Sequence, residues 1–233
     1  QLEVTGRLPR ELNGRYLRNG MNPRSGVSEH WFFGSGMLHG IELRDGQALS
    51  YRNRFVRTPY WEHDLDLMTA MSDLRNSPAN THVVRHAGRL LALEEAHLPW
   101  EITPELETVG PVDFDGKLTT AMTAHPRICP ETGEMLFFGY GILAEPYCTY
   151  HRVDAAGRLV QSEVIALPKP VMMHDWNVTR HHVIFMDLPL VFAFEKGGFH
   201  WDPDHGARLG VMPRAGTNAD VRWYDLDPCF VFH

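Results

Sequence analysis

Short apolar runs closed by compact polar turns recur along this chain of 233 residues, and they point it towards an all-β fold. Residues 41–43 and 48–51 flank Arg44-Asp45-Gly46-Gln47, where Asp-Gly suits a two-residue turn whose twist matches that of the strands it joins. Residues 82–85 and 90–93 flank His86-Ala87-Gly88-Arg89, and residues 150–153 and 159–165 flank Asp154-Ala155-Ala156-Gly157. Residues 177–178 and 183–186 flank a polar Thr-Arg-His-His turn. Strands this short, with turn signals this regular, predict a sandwich, a barrel or a propeller. Only residues 65–74 have helical character, and Pro78 stops them. No Gly/Ser linker or low-complexity segment interrupts the chain, so a single domain is expected over residues 1–233.

The charge balance narrows the partners. A net charge of −7, with Lys and Arg scattered, argues against nucleic acid. No run of about 18 apolar residues exists to cross a bilayer, and no signal-peptide pattern opens the chain. Cys129, Cys148 and Cys229 are odd in number and unpatterned, which predicts reduced, buried thiols and a cytoplasmic protein. The chain opens at QLEVTGRLP without a methionine and stops after the strand-like CFVFH, as expected of a piece of a longer protein.

Three of the 14 histidines sit in longer phrases: His125 in TAHPRICPETGEM, His174 in MMHDWNVT and His233 in DVRWYDLDPCFVFH. They lie 49 and 59 positions apart, close to the roughly 40–50 residues of one propeller blade. One histidine per blade, each on an innermost strand, would converge on a central axis. Spacing alone leaves the bland reading open, since most histidines are surface or core residues. His181, His182, His200 and His205 read as solvated, and His30 and His39 as residues holding the geometry of the Gly-rich HWFFGSGMLHG. That block lacks the Lys-Ser/Thr ending of a phosphate cradle and reads as a tight turn between strands. No GxSxG, HExxH or CxxC is present to support a serine hydrolase, a zinc hydrolase or a zinc finger.

These phrases follow, in order, LPRELNGRYLRNGMNPRS, HWFFGSGMLHGIELRDGQALSYRNRFVRT and NTHVVRHAGRLLALEEAHLPWEI, and FHWDPDHGARLGVMPR falls between the second and third histidine phrases. The whole series resembles the carotenoid cleavage oxygenase family, which includes the bacterial lignostilbene dioxygenases. The resemblance implies a seven-bladed β-propeller, with this chain covering roughly its first half. It also implies an axial Fe2+ bound by four histidines, of which His125, His174 and His233 match the first three. The fourth has no counterpart here. Two open positions on the metal would admit dioxygen, and all-imidazole ligation suits Fe(II).

The same resemblance makes Glu95 a carboxylate that steadies a ligand histidine. Asp175 is expected to point away from its neighbour His174 and to be structural. The implied reaction is cleavage by dioxygen of a conjugated C=C bond in a carotenoid, apocarotenoid or stilbene-like substrate, giving two carbonyl products. Phe32 is a candidate for the lining of an apolar substrate tunnel. Two departures stand out. Phe33 and Ser35 replace acidic residues found in many members, and Glu94 stands where lignostilbene-cleaving members place a lysine, which argues against a 4-hydroxystilbene. A propeller serving as an inactive scaffold, or an iron-dependent isomerohydrolase on the same fold, are the alternatives. Residues 188–199, LPLVFAFEKGGF, are a candidate for peripheral membrane contact or else a buried strand and turn.

Overall fold

The computed structural model describes residues 2–27 and 30–233, which gather into two compact units, Gln1–Asp113 and Phe114–His233. Among the described residues, nearly all regular structure is antiparallel strand.

The first unit begins with a three-stranded sheet of β1 (Gly14–Asn22), β2 (Ser35–Arg44) and β3 (Gln47–Phe55). Asp45 and Gly46 at the β2–β3 turn both have positive φ, 50° and 77°, the backbone that the Asp-Gly pair predicts. Two short helices follow, α1 (Pro59–His63) and α2 (Leu67–Ala70). The helix expected over residues 65–74 is thus reduced to four residues, because the chain breaks into hydrogen-bonded turns from Ser72 onward. Helix α1 is an addition, though its start was legible: Thr58 caps it by accepting from the Trp61 N–H at 3.4 Å, and Pro59 occupies the first turn.

A four-stranded meander of β4 (His82–His86), β5 (Arg89–Leu93), β6 (Trp100–Ile102) and β7 (Thr108–Pro111) completes the unit. The Gly-rich block is not one tight turn. It is a single 3-10 turn, Trp31–Phe33, that runs straight into β2. Gly36 lies inside that strand because a Cβ there would stand 2.0 Å from the Ala79 carbonyl oxygen.

The second unit holds a meander of β8 (Arg127–Ile128), β9 (Met135–Tyr140), β10 (Cys148–Val153) and β11 (Leu159–Val164). A further sheet begins with β12 (Asn177–Val178) and β13 (His182–Asp187). The chain then leaves for a separate hairpin, β14 (Leu190–Ala193) and β15 (Gly198–Trp201), before it returns as β16 (Ala207–Pro213) and β17 (Arg222–Leu226). Four-stranded meanders of this kind are the units from which propellers are built.

Leu136, Phe138, Tyr150, Trp176, Phe185 and Met212 form the centre of this unit's core. Every residue of β9 is buried, so its sequence is continuously apolar and shows no alternation. Of the three cysteines, Cys148 alone is buried; Cys129 and Cys229 are partly exposed, so the expectation of three buried thiols fails. Residues 188–199 form a two-faced hairpin, with Leu188, Val191 and Ala193 buried and Phe194 and Phe199 exposed. Among the described residues, no helix is long and apolar enough to cross a membrane.

Candidate metal centre

His125, His174 and His233 come together within the second unit, each offering one candidate ligand nitrogen within 4.8 Å of the others'. None of the three lies on a strand. His125 precedes β8, His174 precedes β12 and His233 follows β17, all in irregular backbone, so the expected innermost-strand placement is corrected by a few residues. Irregular backbone frees each imidazole from the alternating directions of a strand. The first two segments are nevertheless tied down. The Thr123 N–H donates to the Phe138 carbonyl at 2.8 Å, and the Trp176 indole donates to the His125 carbonyl at 3.0 Å. Met172 N–H donates to the Leu190 carbonyl at 2.8 Å.

The Nε2 atoms of His125 and His174 are 3.0 Å apart. Two nitrogens bound at right angles to one metal at about 2.1 Å also lie about 3.0 Å apart. The three ring pairs have centroids 4.5, 4.9 and 4.8 Å apart and interplanar angles of 66°, 89° and 74°, so the imidazoles surround a common point rather than stack. Imidazole is a good donor for Fe, Cu, Ni and Zn. Both the donor set and the spacing therefore fit a divalent transition metal. His174 is buried, and Phe232 stacks on its ring at 3.9 Å; the side chain of His233 is 59% exposed.

Asp175 departs from expectation. It does not turn away to a purely structural position: its Oδ2 lies 3.1 Å from Nδ1 of His233. Its Oδ1 accepts from Arg127 Nη2 at 2.6 Å and from the Trp176 N–H at 2.8 Å. Burial raises the Asp175 carboxyl, but the hydrogen bonds from His233, Trp176 and Arg127 outweigh burial and hold it below the usual carboxylate range. The signal that could have found it is its place beside one of the clustered histidines, combined with an arginine two residues after another.

Glu95 and Phe32 belong to the first unit. Glu95 is half-buried in a bend just beyond β5. Phe32 is partly exposed in the 3-10 turn, edge-on to His30 at 5.0 Å, and its carbonyl accepts from Asn80 Nδ2 at 2.8 Å. Glu94 is held internally: its Oε2 lies 2.6 Å from His97 Nδ1 and accepts from the Ala96 N–H at 2.9 Å. Burial raises the Glu94 carboxyl, yet the charge of His97 and these hydrogen bonds hold it below its ordinary value.

Two other histidine readings also resolve. His181 and His182 are exposed, as expected. The His205 side chain is buried against Asp187, and its reading as solvated is therefore wrong.

The family model described as Retinal pigment epithelial membrane protein matches residues 1–233. A carotenoid cleavage oxygenase of Mycobacterium tuberculosis is 38% identical, the alignment covering 100% of this chain and 57% of that protein. A carotenoid 9,10(9',10')-cleavage dioxygenase 1 of Arabidopsis thaliana is also 38% identical, covering 100% of this chain and 51% of its own. The crystal structure of Pseudomonas brassicacearum lignostilbene dioxygenase superposes with a TM-score of 0.84 at 32% identity, over 96% of this chain and 52% of that one. The chain thus spans about half the length of the curated relatives it matches, and it carries about half of their propeller fold.

Proposed function

The chain belongs to the Retinal pigment epithelial membrane protein family, the carotenoid oxygenases, and from that premise we propose that it is the part bearing three metal ligands of an Fe(II)-dependent dioxygenase. The substrate class is a carotenoid, apocarotenoid or stilbene-like molecule, cleaved at a conjugated C=C bond to two carbonyl products. The observation that carries this reading is the convergence of His125, His174 and His233, with two Nε2 atoms at 3.0 Å, in a chain whose relatives are oxygenases.

When bound, Fe2+ supplies the redox chemistry that dioxygen requires. The protein's own contribution is positional and electrostatic. Three neutral imidazoles leave the full charge of a divalent ion uncompensated in its immediate surroundings, which favours electron-rich partners at the positions they leave free. The backbone ties at His125 and the segment before His174 fix two of the rings. Phe232 covers one face of the His174 ring and keeps it from water. Glu95 is proposed to steady a ligand histidine, and Phe32 to line the path of an apolar substrate. Both units are proposed to belong to one propeller domain.

The test is iron content after anaerobic reconstitution, with the His125→Ala and His174→Ala variants alongside. Near-stoichiometric iron that falls in both variants, with oxygen uptake matched to loss of polyene absorbance, supports the reading. Iron that survives both substitutions overturns the site. Isomerisation without oxygen uptake would transfer the same site to an isomerohydrolase.

A further inference from the structure

We propose that Trp176 is a positioning residue for His125, a brace whose indole N–H fixes the first histidine of the cluster relative to the second; this rests on the reading of the cluster as a metal centre. His125 is followed by Pro126, so the peptide unit that leaves it has no N–H, and its carbonyl is the group through which a hydrogen bond can anchor it. The Trp176 indole Nε1 donates to that carbonyl at 3.0 Å. Trp176 stands two residues beyond His174, so one side chain joins the two backbone segments that carry the pair. The link is returned from the other side: Arg127, two residues beyond His125, donates to the Trp176 carbonyl at 3.2 Å. The residue two positions after each histidine thus reaches the backbone of the other's segment.

The brace is itself held. Trp176 is fully buried, with Phe138 of β9, Tyr150 of β10 and Phe185 of β13 around it at ring-centroid distances of 5.7, 5.9 and 6.1 Å. Phe138 and Tyr150 meet the indole at 76° and 60°, and Phe185 lies nearer parallel at 26°. Strands from two sheets therefore fix the plane of the indole and the direction of its N–H. A buried tryptophan carries a polar N–H that needs a partner, so a phenylalanine would serve more simply if the core required apolar bulk alone. Here the donor is directed at the backbone of a clustered histidine. Neither His125 nor His174 lies on a strand, so a ladder does not set the 3.0 Å between their Nε2 atoms. A binding constellation has to be held to within about 0.5 Å, which a rigid link between the two segments provides.

The experiment uses the full chain and reads two quantities. The first, without metal, is the order of the His125 ring, from carbon NMR relaxation of labelled histidine assigned with a His125→Gln variant. The second is Co2+ affinity, followed by visible absorption. Trp176→Phe keeps an aromatic ring in the core and removes the donor. Leu159→Ala, a buried residue on β11, destabilises the same unit from the edge of the sheet farthest from β8 and serves as the control. The brace predicts a more mobile His125 ring and a Co2+ affinity lower by about three- to tenfold in Trp176→Phe, with Leu159→Ala within about twofold of the unsubstituted chain. A His125 ring and an affinity both unchanged in a folded Trp176→Phe protein, or equal changes in the two variants, overturn it. Should Trp176→Phe not fold, benzothienylalanine at position 176, with sulfur in place of the indole N–H, keeps the shape, and the same two readouts decide. If the unsubstituted chain binds no Co2+, the metal reading fails, and the order of the His125 ring decides the brace by itself.

Discussion

Asp187 and His205 form a buried pair, with Oδ1 of Asp187 2.7 Å from Nε2 of His205 and both side chains almost wholly shielded from solvent. Asp187 ends β13, and His205 lies just before β16, so the pair closes the excursion that the chain makes through the β14–β15 hairpin. Arg208 Nε donates to the other carboxylate oxygen at 2.7 Å, and its guanidinium lies 4.0 Å from the centre of the Trp223 ring. Removing Asp187 leaves two partners without their acceptor. Breaking such a pair costs about 3–5 kcal/mol when both groups are buried; Arg208 is one-third exposed, so Asp187→Ala is expected near the lower end, about 3 kcal/mol. Urea unfolding checks this, with Arg158→Ala, which breaks an exposed pair with Asp154, as a control expected to shift the midpoint far less.

His151 makes stability depend on pH. Its ring lies between the Thr120 hydroxyl at 2.8 Å and the Ser162 hydroxyl at 2.9 Å, and burial pushes its pKa from 6.5 down to about 4. The unfolded chain takes up this proton below pH 6.5, whereas the folded protein refuses it until about pH 4. Stability therefore falls as pH drops through that window, by up to about 3 kcal/mol from this group. His151→Gln should flatten the fall. Denaturant midpoints at pH 7 and pH 4.5 measure it, and an equal loss in both proteins would exclude His151 as the cause.

Gly139 couples β9 to the segment that carries His125. A Cβ at this position would stand 2.1 Å from the Ala121 carbonyl oxygen and 2.6 Å from the Thr120 hydroxyl. Residues 120–124 would have to move away from the strand, and His125 with them. Gly139→Ala is expected to cost about 1–3 kcal/mol and to weaken metal binding as well. A Co2+ titration beside a thermal melt separates the two effects; unchanged affinity in a folded variant would show that the segment adjusts without moving His125.

Two of the three thiols, Cys129 and Cys148, should differ in reactivity. Hydrogen bonds from Thr132 and Arg214, the latter at 3.3 Å, lower the Cys129 pKa to about 6, whereas burial pushes the Cys148 thiol far up. At pH 7, iodoacetamide should modify Cys129 well before Cys148, because the thiolate is the nucleophile. Peptide mass spectrometry over a time course reads the order. Thr132→Val and Arg214→Met should each slow the Cys129 reaction, and unchanged rates would show that neither group activates it.

Much of the fold was legible because hairpins are local. Asp45-Gly46 and Ala87-Gly88 adopt the left-handed backbone that their turns require, and the strands on either side follow. β9 escaped because burial on both faces erases the alternation that marks a strand. β14 and β15 were legible only as an ambiguous apolar stretch, since a strand half in the core and a surface patch share one composition.

For the site, the order of motifs singled out His125, His174 and His233, and the structure brings those three together. Asp175 was misjudged because its direction was read from strand alternation, while residues 172–176 form no strand. His205 was misjudged because a polar sequence neighbourhood says nothing about a buried acid 18 positions away.

The sequence by itself determined the turns, the all-β character and which three histidines stand out together, since each depends on neighbouring residues or on motif order. Only the tertiary structure decided which nitrogens meet, which acid meets which histidine and which polar groups are buried. Those relationships join residues tens of positions apart, and they exist only once the apolar core has fixed the backbone segments that carry them.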